Sequence, residues 1–227
     1  ELDPKDAKAY YNRGLAKGLF EDYRGEIADY NKAIELDPKD AKAYYNRGLA
    51  KGLFEDYRGE IADYNKAIEL DPKDAKAYYN RGLAKGLLED YRGEISDFNK
   101  AIELDPKDAK AYFGRGLAKE KLDDSRGAIA DYNNAIKLDP KDAKAFQKRG
   151  DAKRTLEDYR GSIVDYNKAI ELDPKESWAY FSRGVAKYML EDSRGAIADY
   201  NKAIELDPTF ASAYYNRGLA KLLMGQK

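Results

Sequence analysis

The sequence predicts an all-α fold, a solenoid of antiparallel helix hairpins, on three observations. A 34-residue stretch recurs from one end of the chain to the other, all seven prolines occupy one frame of it, and its apolar residues fall at helical spacing. "ELDPKDAKAYYNRGLAKGLFEDYRGEIADYNKAI" fills residues 1–34 and returns unchanged at 35–68. The copy at 69–102 differs only at Leu88, Ser96 and Phe98; looser copies run 103–136, 137–170 and 171–204, and a seventh begins at Glu205 and stops at Lys227. This organisation predicts six hairpins and one further helix, thirteen helices in a single domain over 1–227, without a linker.

Within a repeat, each proline of the "LDP" frame ends the preceding helix, because its ring excludes the helical conformation just before it. Asp40, two residues after Pro38, is a good N-cap, and the first helix is expected from Ala41 to Phe54. "EDYRG" breaks that helix, with Asp56 as the second cap. Ile61, Tyr64 and Ile68 then make one apolar stripe along the second helix. A helix of about 14 residues is marginal alone in water, so these are expected to fold by stacking on neighbours.

Composition narrows the function. Charged residues make up 37% of the chain, a disorder-like share that 20 tyrosines offset with apolar area. Lys and Arg number 41 against 42 Asp and Glu, so no net field steers the molecule toward nucleic acid or anionic membrane. No stretch approaches the roughly 20 apolar residues of a membrane span. Neither Cys nor His occurs. That removes disulfides, thiol chemistry, imidazole bases and nearly every transition-metal site. Carboxylates recur with the repeat instead of forming one unique constellation, so no catalytic residue, no metal site and no cofactor is expected. The chain starts at Glu1 without Met or a signal segment and reads as a trimmed piece whose targeting is not legible. Zero cysteine weakly favours a reducing, cytoplasmic compartment.

Counted from the Ala after "DPKD", the units are 7–40, 41–74, 75–108, 109–142, 143–176 and 177–210, with a partial unit at 211–227. Place four is Tyr10, Tyr44, Tyr78, Tyr112, Phe146, Tyr180 and Tyr214, and place eight is always Gly, as in Gly14 and Gly48. Place twenty-four is aromatic (Tyr30, Tyr64, Phe98, Tyr132, Tyr166, Tyr200), place twenty-seven is Ala, and place thirty-two is the Pro. On these positions the whole chain resembles a tetratricopeptide repeat (TPR) array. The resemblance implies a right-handed superhelix whose first helices line a concave groove that binds extended peptides or protein tails. The chain departs from the family pattern at place seven (Arg), place eleven (Lys), place twenty (Glu in the first three units) and the inter-helix turn (Glu or Asp in place of Gly).

The repeated Arg-Gly of "YYNRGLAKGLF" asks for an account. A mid-helix Gly costs about 1 kcal/mol relative to Ala, and its recurrence reads as room for the second helix to come close. In the resembled family, places seven and twenty-three face each other across the hairpin. Here they carry opposite charges: Arg13 and Asp29, Arg47 and Asp63, Arg81 and Asp97, Arg115 and Asp131, Arg149 and Asp165, Arg183 and Asp199. These are expected to pair inside each unit, bidentately and partly buried. The other reading is an Arg row lining a surface for phosphates or carboxylates.

The family's groove positions, carried over, give Tyr11, Leu15 and Gly18; Tyr45, Leu49 and Gly52; Tyr79, Leu83 and Gly86. The later units give Phe113, Leu117 and Glu120; Gln147, Asp151 and Arg154; Phe181, Val185 and Tyr188. The Lys and Asn of carboxylate-clamping relatives are absent from places five and nine. What remains is an apolar, aromatic trough for an extended peptide, part of which can equally be packing between first helices. Unit five reads either as a polar specificity pocket or as drift. Trp178, the only tryptophan, reads either as a ligand contact or as a cover on the neighbouring unit.

The expected function is a non-catalytic protein-interaction scaffold with a peptide or protein partner. One alternative is an engineered or recently amplified array without a dedicated ligand, since two units are identical. Single-stranded RNA binding ranks lower, because phosphate contacts need surplus cations. No nucleic acid or membrane partner is expected. Uncapped ends predict head-to-tail self-association.

Overall fold

A computed structural model describes residues 4–225, so residues 1–3 and 226–227 of the array expected over 1–227 lie outside the described residues. The described residues are all-α, with thirteen helices and no strand. First helices are α1 (Ala7–Gly18), α3 (Ala41–Leu53), α5 (Ala75–Leu87), α7 (Ala109–Glu120), α9 (Ala143–Thr155), α11 (Ser177–Met189) and α13 (Ala211–Leu223). Second helices are α2 (Tyr23–Leu36), α4 (Tyr57–Leu70), α6 (Tyr91–Leu104), α8 (Ser125–Leu138), α10 (Tyr159–Leu172) and α12 (Ser193–Leu206).

The punctuation works as local chemistry requires. Asp40 caps α3 by accepting from Lys42 N and Ala43 N, and Asp56 caps α4 by accepting from Gly59 N. At the end of α3 the chain turns through Glu55 at φ 62°, with Asp56 N–H donating to Lys51 O at 2.9 Å. That is the left-handed helix stop glycine normally occupies, and here Glu21, Glu55, Glu89, Asp123, Glu157 and Glu191 all adopt it. α13 instead starts on an apolar residue, Phe210, which makes no side-chain cap bond.

The chain divides into two compact halves, one ending at Ala118 and the other beginning at Lys119. Each half is a repeat solenoid. In the first, α1 through α6 pack in chain order, with α2 and α4 each between its own first helix and the next one. In the second, α8 through α13 pack in chain order, with α10 and α12 each between its own first helix and the next one. The core is thin: a second-helix aromatic (Tyr30, Tyr64, Phe98 in the first half; Tyr132, Tyr166, Tyr200 in the second) together with alanines. These rings are at most 1% exposed.

Candidate functional site

The place-eight glycines explain how those rings fit. A Cβ on Gly14 would stand 2.9 Å from Tyr30 Cε1, and on Gly150 2.7 Å from Tyr166 Cε1. The ring of the second helix fills the notch that the missing side chain leaves.

The neighbouring arginines turn inward beside that notch. In the hairpins of Arg13, Arg47, Arg81, Arg149 and Arg183, Nε donates to one Asp oxygen at 2.8–3.0 Å. Nη2 donates to the other at 2.5–2.6 Å. Arg115 and Asp131 fall on opposite sides of the division between the halves, and the other five pairs carry the finding. The Arg13 bond, ahead of the Lys17 bond and against desolvation, holds the Asp29 carboxyl below its usual range.

Two partners were not read from the sequence. The place-eleven lysines close on the same carboxylates: Lys17 on Asp29 at 2.9 Å, Lys85 on Asp97 at 2.8 Å, Lys119 on Asp131 at 2.7 Å. From the second repeat on the arginines also reach back one repeat, as Arg47 Nη1 donates to Asn31 Oδ1 at 2.7 Å and Arg81 Nη1 to Asn65 Oδ1 at 2.8 Å. The guanidinium further sits over the place-four ring, 5.4 Å from the Tyr44 centroid. Arg13, in the first repeat described, has a side chain 45% exposed, against 17% for Arg47.

Buried carboxylates accompany the buried phenols. Glu26, Glu60 and Glu94 tuck under Gly18, Gly52 and Gly86, where a Cβ would come within 2.9 Å of the carboxylate. Tyr30 Oη donates to Glu26 Oε1 at 3.1 Å, whereas Tyr64 Oη makes no hydrogen bond of good geometry. Glu94 has Phe98 in the Tyr position; burial, then Asp90, pushes its carboxyl up to about 7. In later repeats the acid moves to the first helix: Tyr132 Oη donates to Glu120 at 2.8 Å and Tyr166 Oη to Asp151 at 2.8 Å. Burial raises the Glu120 and Asp151 carboxyls, with Lys148 opposing that shift in both.

The face of the first helices is built differently in the two halves. In the first half Tyr11, Tyr45 and Tyr79 lay their rings against Tyr30, Tyr64 and Phe98, with centroids 5.5–5.7 Å apart. Asn46 Nδ2 donates to Tyr11 Oη, as Asn80 Nδ2 does to Tyr45 Oη, both at 2.7 Å. Leu15, Leu49 and Leu83 are 41%, 37% and 40% exposed beside them. Two depressions lie here in register. One, of about 270 Å³, is lined by Tyr11, Lys42, Tyr45, Asn46, Asp71 and Asp74 among others. The other, of about 410 Å³, is lined by the residues one repeat on, Tyr45, Lys76, Tyr79, Asn80, Asp105 and Asp108. Phe113 and Leu117 are half-buried on α7.

In the second half, Gln147, Asp151 and Arg154 are half-buried on α9, as are Val185 and Tyr188 on α11. Phe181 is 9% exposed and packs on Phe210 at 4.8 Å and on Tyr200 at 5.9 Å. Trp178 stacks on Phe210, 5.4 Å between centroids at 15°, so it covers the start of the next repeat. No cluster of His, Cys, Asp and Glu among the described residues could hold a metal ion, and no helix there is long and apolar enough to cross a membrane.

Family profiles described as TPR repeat match residues 22–52, 56–88, 150–191 and 194–225, and profiles described as tetratricopeptide repeat match 75–108 and 109–142. No curated protein matches the sequence. Among solved structures, the chain is similar to YrrB, described as "a TPR protein with an unusual peptide-binding site". That pair has 25% identity and a TM-score of 0.75 over 83% of this chain and 97% of that one. It is also similar to MamA, at 26% identity and a TM-score of 0.71 over 76% and 94%. A tetratricopeptide repeat protein from Parabacteroides merdae, at 18% identity, shares the fold with a TM-score of 0.77 over 97% and 87%.

Proposed function

Since the chain belongs to the tetratricopeptide repeat family, a family of protein–protein interaction scaffolds, we propose that it binds an extended peptide along the face of α1, α3 and α5. The observation that carries this reading is the pair of equivalent depressions, each with a Tyr hydroxyl and an Asn amide bonded across one repeat step. Within each pair the Tyr hydroxyl proton and the Asn Oδ1 remain available. One donor beside one acceptor suits the C=O and N–H of a peptide main chain. Leu15, Leu49 and Leu83 supply apolar contact for alternate side chains. The similarity to YrrB, whose description names a peptide-binding site, supports the same reading. The arginines do not favour an anionic ligand, because Arg47 and Arg81 spend their guanidinium nitrogens on Asp and Asn side chains.

The test is selection from a random peptide library displayed on phage, followed by titration of the winners. Peptides that bind the wild type and lose about tenfold or more in affinity against Asn46→Ala plus Asn80→Ala support the reading, since each lost hydrogen bond is worth about 1 kcal/mol. Winners indifferent to that double substitution, or no winners, contradict it.

A further inference from the structure

A buried carboxylate is normally paired with a cation, and three acids of the first half break that rule. Glu26, Glu60 and Glu94 are 8%, 9% and 8% exposed. Burial raises all three carboxyls, the Tyr30 and Tyr64 phenols relieve the first two in part, and Asp22, Asp56 and Asp90 add to the rise. Among the described residues no Lys or Arg opposes it. The Glu94 side chain lacks a hydrogen-bond partner there as well.

Each of these carboxylates lies against a glycine of the first helix. A Cβ on Gly18, Gly52 or Gly86 would stand 2.8, 2.7 or 2.5 Å from the nearest Glu oxygen. The glycines follow Leu15, Leu49 and Leu83 by three residues, so they share the helix face of those exposed leucines. A side chain laid along that face meets the acid across a bare glycine.

The second half treats the same spot differently. Glu120 stands in the place of the glycine and Ala128 in that of the acid, and Lys148 draws the Glu120 and Asp151 carboxyls down against their burial. Lys148 holds place six of its unit, where the first half has Asn46 and Asn80. The chain thus supplies a cation to these acids in one half and none in the other.

We propose that the face of α1, α3 and α5 selects a basic peptide, whose Lys or Arg side chains seat beside Gly18, Gly52 and Gly86 and pair with Glu26, Glu60 and Glu94. Charge complementarity chooses that occupant. The desolvation of these acids is already met in the free chain, so a cation brought to them gains the attraction at little further cost. The proposal rests on the peptide reading above: the Tyr–Asn pairs hold the main chain and the acids read its side chains.

The probe is a fluorescein-labelled peptide alternating Arg with Ala, followed by anisotropy against the full chain beside twins carrying Gln or Glu in place of Arg. The Arg peptide should bind about tenfold or more tighter than the Gln twin, the worth of a hydrogen bond to a charged group, and the Glu twin should be weakest. Glu60→Gln plus Glu94→Gln keeps the shape and removes charge that burial disfavours, so that variant should fold as wild type and lose most of the Arg preference. In the wild-type chain, the carbon-13 shifts of the Glu60 and Glu94 carboxyls should move on saturation with the Arg peptide. Equal binding of the Arg and Gln peptides, still weakened by Asn46→Ala plus Asn80→Ala, overturns the charge selection and leaves the peptide reading standing. An Arg preference that survives both Gln substitutions, or carboxyl shifts that stay in place, also overturns it. Binding by none of the three peptides overturns it too, while the library selection decides the peptide reading on its own.

Discussion

Arg81 grips Asp97 with two parallel hydrogen bonds, Nε to Oδ2 at 2.9 Å and Nη2 to Oδ1 at 2.5 Å, while its remaining nitrogen reaches Asn65 of the repeat before. One side chain thus closes its own hairpin and fixes its register against the one before. Lys85 adds a second cation to the same carboxylate, which is buried to 3% exposure. A motif that resembles a cationic stripe in the sequence is a rivet between helices.

The reach to Asn65 predicts an effect across the repeat boundary. Asn65→Ala should cost on the order of 1 kcal/mol, the worth of a hydrogen bond to a charged group at a half-exposed site. Chemical denaturation measures it. The loss should shrink to nothing when Arg81 is already replaced.

The glycine notches are not equally tight. A Cβ on Gly82 meets nothing nearer than Asp97 Cβ at 3.3 Å, whereas on Gly150 it meets the Tyr166 ring at 2.7 Å. Gly82→Ala should therefore be neutral or stabilising by up to about 1 kcal/mol from helix propensity. Gly150→Ala should destabilise by about 1–3 kcal/mol through overpacking. Parallel urea melts of the two variants check the ordering.

Glu94 predicts a pH dependence. Its carboxyl is pushed up to about 7, so its contribution is complete below the ordinary carboxylate range, near pH 4.5, and is lost as pH rises through about 7. Between pH 5 and 8 this one group should cost the fold on the order of 2 kcal/mol. Glu94→Gln should flatten that part of the stability profile. Phe98→Tyr, which supplies the phenol that Tyr30 gives Glu26, should move the titration down. Unfolding free energies across that pH range, with the carboxyl followed by NMR, distinguish these outcomes.

The left-handed Glu55, at φ 62°, predicts a cheap gain. Gly is the residue that takes this conformation freely, and an L side chain pays roughly 1–2 kcal/mol there. Glu55→Gly should raise stability by about 0.5–1 kcal/mol, part of the relief being returned as unfolded-state entropy. A thermal melt reads it directly.

Much of this was legible in the sequence because its punctuation is local. Pro38, Asp40 and Asp56 fix helix ends by the chemistry of a few neighbouring residues, and the observed α3 stops one residue short of the expected Phe54. The Lys51 contact was missed, although Lys51 follows Arg47 by four residues and so shares its helix face. Asn46 was missed as a surface residue because its partner, Tyr11, lies a full repeat away. The exchange of Glu26 with Gly18 for Ala128 with Glu120 is visible by comparing the chain's own repeats, yet it gains meaning only once Tyr30 and Tyr132 show the phenol between them. Phe181 falls on the groove by position alone, and Trp178 reads either as a ligand contact or as a cover. Phe210, standing where an Asp or, in α11, Glu176 caps other first helices, packs against both rings.

The central claim is that a guanidinium and a carboxylate lock the hairpins of Arg13, Arg47, Arg81, Arg149 and Arg183 from within, and a double-mutant cycle on Arg81 and Asp97 tests it most directly. Each single Ala substitution should cost about 3–5 kcal/mol, and the double should cost well under the sum, because the second removal deletes a charge already left unpaired. Small, additive losses of under about 1 kcal/mol each, the behaviour of an exposed pair, would contradict it.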